Sequence, residues 1–306
     1  MNNTISKGIE KIKLDQLLQQ NFPLAHLSTY QTGGEADYFA SPKNLFELKA
    51  LIKWAKEQNL PITTLGGGSN VLIADDGVEG LVISTLSLTA FHIRGLIFCV
   101  QSGLLLDTAI NIAIENSLSG LELLGGLPGT VGGGIWGNAE AHNLAISDLI
   151  EWVDYLDEDG NLLRLNAYDK NFSYKKSPFM DKFSFIYEIA FRLIPNKNTS
   201  EARLQKEKSR TKRIVAGQFD WPSSGCFFKN PKGISVGKLI DEANLKNLNY
   251  NGAYVSSHHG NFIVKKSEKT KSSDIFYLSQ IVAQKIEESY NLNLMREVIL
   301  IGRWNI

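Results

Sequence analysis

Apolar residues recur at helical spacing over residues 44–58, where Leu45, Leu48, Leu51, Ile52 and Ala55 share one face. Asn44 ahead of Glu47 has the form of an N-terminal cap, and Pro61 lies beyond the far end, so the pattern predicts one helix. Alternating or continuous apolar runs then predict strands at residues 62–65, 71–73 and 81–83, with Asp75-Asp76-Gly77 as the turn between the last two. Residues 97–100 predict a further strand, and residues 104–116 a second helix. Strands follow at residues 150–155, 162–165 and 185–193, the first two joined in a hairpin through Asp157-Glu158-Asp159-Gly160-Asn161. Residues 196–213 are strongly charged and carry no sustained apolar stripe, which predicts an exposed connection with some helix and a domain boundary. Helices at 236–243 and 272–290 and strands at 262–264 and 298–301 complete an α+β chain.

Two glycine runs break this pattern: Gly66-Gly67-Gly68-Ser69-Asn70, and Gly125-Gly126-Leu127-Pro128-Gly129-Thr130-Val131-Gly132-Gly133. Glycines at this density let backbone N–H groups close around a phosphate with no Cβ in the way, and Ser69, Asn70 and Thr130 add side-chain partners. Two such runs in one chain suggest a dinucleotide. Gly132 to Gly137 happens to satisfy G-x-G-x-x-G, but Pro128-Gly129 stands where a buried strand is needed and Asn138-Ala139-Glu140 where a helix is needed, which argues against a nicotinamide-binding fold. The run from Gly233 to Leu239 has three residues between its glycines and Leu239 in place of the magnesium-binding hydroxyl, so it is no P-loop. His258 and His259, adjacent on an extended segment, point to opposite faces with no third ligand at suitable spacing, so no metal site is expected.

Composition narrows the partners. With 306 residues and 43% apolar content the chain has material for two or three subdomains. Its 32 basic and 32 acidic side chains cancel, so no field favours nucleic acid or an anionic membrane. The longest apolar runs fall far short of the ~20 residues that span a bilayer, and no membrane segment is expected. Cys99 and Cys226 are the only cysteines, too few for a disulfide framework and suited to a reducing compartment, read here as the cytoplasm. Cys226, inside Ser224-Gly225-Cys226-Phe227-Phe228-Lys229-Asn230-Pro231, is then the candidate reactive group.

The order of motifs carries a resemblance. Thr29-Tyr30-Gln31-Thr32-Gly33-Gly34, the two glycine runs, the Cys226 segment, Val255-Ser256 with His259-Gly260-Asn261-Phe262-Ile263-Val264, and Leu294 with Glu297-Val298 and Ile301-Gly302 together resemble the UDP-N-acetylenolpyruvoylglucosamine reductases (MurB). The match runs over residues 22–304, and the absence of a long insertion in the last third resembles the family's smaller type II form. The resemblance implies a two-part FAD-binding domain of the vanillyl-alcohol-oxidase (PCMH) type plus a smaller α+β substrate-binding domain. It implies an N-terminal extension at 1–20, a first FAD-binding subdomain at 21–85, and a second at 86–198 completed by C-terminal strands at 293–306. The substrate-binding domain is then expected at 199–292. A monomer is implied, with NADPH reducing the flavin before UDP-N-acetylglucosamine enolpyruvate binds and becomes UDP-N-acetylmuramate for peptidoglycan synthesis.

Residue by residue, the resemblance assigns FAD contacts to Gly66, Gly67, Gly68, Ser69, Asn70, Gly126, Gly129, Thr130, Gly132, Gly133 and Asn138. It places Cys226 at the proton donor's position, and a thiol near its ordinary pKa of ~8.5 is a far better acid than an alcohol. Glu297 is implied to meet the substrate carboxylate as a protonated acid, or to relay a proton, with a pKa raised by burial. The family's arginine after a tyrosine is replaced: Tyr174-Lys175-Lys176 puts Lys175 in its place, with Lys176 as the alternative, and lysine offers one compact charge where arginine offers a planar fork. Glu140 stands where the family favours glycine. Tyr174, Lys229 and Asn230 are implied to hold the substrate, and Tyr250, Tyr254, Lys212 or Arg213 to line its uridine end. Two other functions share these features: an FAD-dependent alcohol or lactone oxidase of the same fold, and a non-catalytic nucleotide-binding relative that has lost the arginine.

Overall fold

In the computed structural model, residues 14–169 and 171–305 are described. Residues 1–13 of the expected N-terminal extension lie outside them, and the last residues of that extension already belong to the strand Gln19–Pro23. This strand edges a four-stranded sheet whose order runs Gln19–Pro23, Glu35–Ala40, Val78–Ser84, Ile62–Leu65. The first pair is antiparallel, and Val78–Ser84 is parallel to both neighbours. The return between parallel strands is made by the helix Leu45–Glu57. Asn44 caps it by accepting from Glu47 N at 3.0 Å, while the Glu47 carboxylate accepts from Lys43 N at 2.7 Å. Leu81 and Ile83 face a core shared with this helix, and Val78 and Val82 face another built on Leu24, Phe39 and Leu65. Burial on both faces explains the continuous apolar run Leu81-Val82-Ile83 within this strand.

The second unit is an antiparallel five-stranded sheet, in the order Leu162–Asn166, Ile150–Leu156, Phe185–Arg192, Ile97–Gln101, Phe91–Arg94. Helices Leu106–Glu115 and Val131–Trp136 cover one face around Val100, Ile110, Ile135 and Ile189. The hairpin at Asp157 forms as its sequence predicts, with Asp157 Oδ1 accepting from the backbone of Asp159 and Asn161.

Two expectations are corrected. The charged segment is one continuous helix, Thr199–Val215, whose inner face carries Ala202, Lys206 and Ser209. Lys206 is buried because its ammonium donates to Asp107 at 2.7 Å and Asn111 at 2.8 Å, so a polar stripe does what an apolar one normally does. Ala202 joins the core of the second unit, and the helix rides on that unit. The last strand, Ile299–Ile301, was expected to complete the second subdomain; it pairs instead with Val71–Ile73 of the first, in parallel, with Leu300 beside Leu72. Arg303 fastens it there through Asp37 at 2.7 Å.

The third unit lays the helices Val236–Glu242 and Ser272–Tyr290 on a three-stranded sheet of Asn249–Tyr250, Ala253–Val255 and Ile263–Lys265. Its core takes in Tyr30, Leu72 and Val298, so it is sealed against the first unit by side chains from both. The architecture is α+β, and the seam between units is where the motifs meet.

Candidate active site

The segment 226–229 is threaded between two others as a short irregular strand. Cys226 is bridged to Phe262 and Phe228 to Arg296. Phe227 N donates to Asn261 O, Lys229 N to Met295 O, and Glu297 N to Phe227 O, each at 2.8 Å. The fully buried rings of Phe227 and Phe228, 5.2 Å apart, anchor this segment in the third core. Backbone pairing thus sets Cys226 and Glu297 on neighbouring chains. Upstream, Ser224 donates to the Tyr30 hydroxyl at 3.2 Å, which donates to Ile263 O at 3.1 Å; burial pushes the Tyr30 phenol far up, keeping it a donor.

Asn261 imitates a strand neighbour. Its Oδ1 accepts from Phe228 N at 3.0 Å and its Nδ2 donates to Phe228 O at 2.8 Å, in a site only 1% exposed. Asn261→Ala strands both backbone groups, each worth about 1–3 kcal/mol when buried unpaired. We expect urea unfolding to show a loss of about 2–4 kcal/mol, and a loss below 0.5 kcal/mol would refute this reading.

Opposite Cys226 stands a tight turn. Ser173 and Lys176 exchange backbone hydrogen bonds at 3.1 and 3.0 Å, leaving Tyr174 and Lys175 at the tip, with Lys175 at φ +53°. That left-handed conformation is costly for a residue with a Cβ, on the order of 1–3 kcal/mol, and is held only when its surroundings over-determine it. Here they do. Lys175 Nζ meets Glu297 Oε1 at 2.6 Å, with the side chains 21% and 14% exposed. Lys176 pairs with Asp181 at the surface, so the structure separates the two lysines and gives Lys175 to the site. Glu297, expected to meet the substrate carboxylate or to relay a proton, lies in this structure against the Lys175 ammonium.

The electrostatics follow from this closeness. Burial pushes the Cys226 thiol up to about 11, Glu297 adds to the shift, and Lys175, Arg213 and a hydrogen bond with Asn261 oppose it. At neutral pH the sulfur keeps its proton. Burial works against the charge on Lys175, but the Glu297 carboxylate prevails and holds its pKa above the ordinary lysine value. Burial lowers the pKa of Arg213, whose Nε is buried with no hydrogen-bond partner among the described residues. An underpartnered guanidinium near Cys226 is a seat for an anion. Sequence grouped Arg213 only with Lys212 at the uridine end; its place at the thiol depends on the helix Thr199–Val215 reaching back to the site.

The two glycine loops touch. A Cβ on Gly67 would stand 2.8 Å from Gly129 Cα, and one on Gly129, at φ +107°, would stand 2.5 Å from Ser69 Oγ, so only glycine fits this crossing. Ser69 Oγ donates to Pro128 O at 3.1 Å across it. The N–H groups of residues 67–70 donate to no protein group among the described residues, leaving a concave row of donors for a phosphate. The second loop is built differently. Gly132 N donates to Ser102 O and Gly133 N to Thr130 Oγ1, the cap of the helix Val131–Trp136. Gly126 N donates to Asp107, and a Cβ there would press on Arg210 Cα at 2.8 Å, so this glycine admits the helix Thr199–Val215. Buried hydroxyls of Thr85 and Ser102, without hydrogen-bond partners among the described residues, stand beside Gly66 and Gly132; isolated serines and threonines carry no sequence signal that singles them out.

These orphaned hydroxyls, the glycine crossing and the row of free N–H groups fit FAD. A cavity of about 330 Å³ reaches from Thr29, Gln31 and Pro128 to Trp221, Ser223 and Gly225, joining the second glycine loop at Pro128 to the residue before the thiol. Asn138 donates from Nδ2 to Ser173 O at 2.8 Å, and its Oδ1 is buried without a partner among the described residues. Tyr174 stands half-exposed beside the Asn230 backbone, Lys229 is half-buried, and Asn230 spends its Oδ1 on Val236 N at 3.0 Å. No group of three or more candidate metal ligands occurs among the described residues. No described helix is long and apolar enough to cross a membrane.

A two-part flavin fold with a thiol, a lysine and a carboxylate gathered beside the glycine loops defines an FAD-dependent oxidoreductase. Residues 36–166 match the family model of an FAD binding domain, and residues 217–301 that of the UDP-N-acetylenolpyruvoylglucosamine reductase C-terminal domain. The reductase of that name from Acaryochloris marina is 37% identical over 289 residues, 94% of each chain; that from Lactiplantibacillus plantarum is 34% identical over 285 residues, 93% of this chain and 94% of its own. The crystal structure of UDP-N-acetylenolpyruvylglucosamine reductase from Thermus caldophilus superposes with a TM-score of 0.78 at 30% identity, covering 93% of this chain and 98% of the other. The chain belongs to the UDP-N-acetylenolpyruvoylglucosamine reductase family.

Proposed function

We propose that the chain reduces UDP-N-acetylglucosamine enolpyruvate to UDP-N-acetylmuramate for peptidoglycan synthesis, consuming NADPH and one proton. One observation carries this reading: a thiol kept protonated at neutral pH lies within the field of Lys175, Glu297 and Arg213, beside loops that fit FAD. FAD, when bound, supplies the hydride taken from NADPH. The chain's own residues do the rest. The residues 67–70 and Thr85 and Ser102 hold the cofactor, with Ser69 locking the two loops together. Lys175 and Arg213 neutralise charge that develops on the substrate carboxylate as the double bond is reduced. Glu297 fixes the Lys175 ammonium and, by its own charge, helps keep the thiol protonated. Cys226 Sγ–H gives its proton to the carbon next to the carboxylate, and the thiolate regains one from solvent. Tyr174, Lys229 and Asn230 bind the sugar nucleotide.

The domain division is proposed on the same footing, with the expected boundary after residue 198 moved past the helix Thr199–Val215: FAD-binding units at 21–85 and 86–216, the first completed by the strand Ile299–Ile301, and the substrate-binding unit from 217 to 292. A monomer in the cytoplasm is proposed with it.

The deciding experiment purifies the protein, records the flavin spectrum, and follows NADPH oxidation on adding the enolpyruvyl sugar nucleotide. The reading requires one NADPH per product two mass units heavier than substrate, without oxygen uptake; oxygen uptake without that product would establish an oxidase instead. Gly129→Val should yield protein with less than a tenth of the wild-type flavin, because its side chain collides at the crossing of the loops; a normally yellow variant would remove that crossing from the flavin site.

A further inference from the structure

Asn138 lies in neither the thiol segment nor the turn, yet it touches the turn at its base. It follows the helix Val131–Trp136 at φ +44° and is 4% exposed. Its Nδ2 donates to Ser173 O at 2.8 Å, the same carbonyl that accepts from Lys176 N to close the turn. Beside it, Ser177 Oγ donates to Trp136 O at 2.6 Å. Two side-chain hydrogen bonds therefore hang both ends of the turn on residues 136–138, directly after the second glycine loop. The tip between them bears Lys175 in its left-handed conformation, against Glu297.

The geometry points to Asn138 as the positioning residue for Lys175, fixing through Ser173 O where the ammonium stands relative to Glu297 and Cys226. A lone flavin contact would not need its amide donor directed at this carbonyl. The assignment of Nδ2 and Oδ1 follows from the partners: Ser173 O accepts only, so the amide presents its donor there. Without this tether the strained tip relaxes, and the lysine charge moves while the flavin loops, closed by Ser69 and Pro128, stay in place.

Two readouts separate this role from a structural one. The first is independent of substrate and of the proposed reaction: the alkylation rate of Cys226 by iodoacetamide at pH 8.5 in the flavin-loaded protein, with Cys99 silent because it is buried. The charged groups acting on Cys226 are Lys175, Arg213 and Glu297. Moving the Lys175 ammonium away disfavours the thiolate, so Asn138→Ala and Asn138→Asp should each slow alkylation at least threefold, as Lys175→Met does. In the Lys175→Met background, Asn138→Ala should add nothing, because its effect passes through the missing ammonium. The second readout rests on the proposed reductase activity: kcat per bound flavin should fall at least tenfold in Asn138→Asp, which keeps size and acceptor but loses the donor. Full additivity of Asn138→Ala and Lys175→Met in the alkylation rate, or flavin loss with unchanged kcat per bound flavin, would overturn the proposal. If wild-type protein shows no reductase activity, the alkylation cycle still decides it.

Discussion

Cys226→Ala is expected to lower kcat by about 10³-fold, within the range seen when a positioned general acid is removed, while the protein keeps its yellow colour and still reacts with NADPH. A loss of this size follows from the sulfur donating the proton with no other group nearby to replace it. Lys175 and Arg213 are charged groups placed to meet negative charge, and the side chain of Glu297 is taken up by Lys175. Cys226→Ser should recover part of the loss, since a hydroxyl occupies the same place but is a weaker acid. The pH dependence carries a second check. An ordinary thiol would lose its proton through pH 8–9, but burial and Glu297 hold this one to about 11. Wild-type kcat should therefore not fall between pH 8 and 9.5 from loss of the thiol proton. A Cys226→Ala enzyme retaining more than a tenth of wild-type kcat would dismiss the sulfur from the chemistry.

Lys175→Met is expected to cost about 10²-fold in kcat, the scale of removing one preorganised electrostatic contact to the transition state. Lys175→Arg should stay within about tenfold of wild type, because it keeps the positive charge and Glu297 can pair with either cation. Lys175→Met also leaves the Glu297 carboxylate, only 14% exposed, without its cation, so stability should drop as well as rate. The sign with pH is fixed by the raised pKa of Lys175. A lysine that holds its proton more tightly when folded contributes its full stabilisation below the ordinary value of ~10.4 and loses it as pH climbs through the higher folded value. The difference in unfolding free energy between wild type and Lys175→Met should be flat from pH 6 to 9 and shrink above pH ~10.5. A difference that vanished already by pH 8 would mean that the ion pair does not stabilise the fold.

Much of this fold is legible in the sequence. The helix Leu45–Glu57, its Asn44 cap, the strands around residue 71 and the helix Ser272–Tyr290 follow from periodicity and capping chemistry acting within a few residues. The thiol segment and the glycine loops were legible as motifs. What escaped was set by contacts distant in sequence. The helix Thr199–Val215 hides its buried face in Lys206 and Ser209, so no apolar stripe announces it. Gly126 resembles a phosphate-loop glycine, but its role depends on Arg210 arriving from that helix. The short helix Val131–Trp136 is almost all glycine and β-branched residues, poor helix formers, and stands on its Thr130 cap and its packing. Arg213 became a site residue only once the helix carrying it was placed.

The pairing of Ile299–Ile301 with Val71–Ile73 has a consequence for the newly made chain. Asn70 and Glu297, whose backbone carbonyl accepts from the Asn70 side chain at 3.3 Å, are 227 positions apart, so both the strand that pairs beside the first glycine loop and the carboxyl group near Cys226 wait until residues 297–301 have been made. Polypeptide still on the ribosome has its glycines early but no complete seat for the prosthetic group. Cofactor uptake in a stalled-nascent-chain experiment should accordingly appear only after the strand Ile299–Ile301 has emerged.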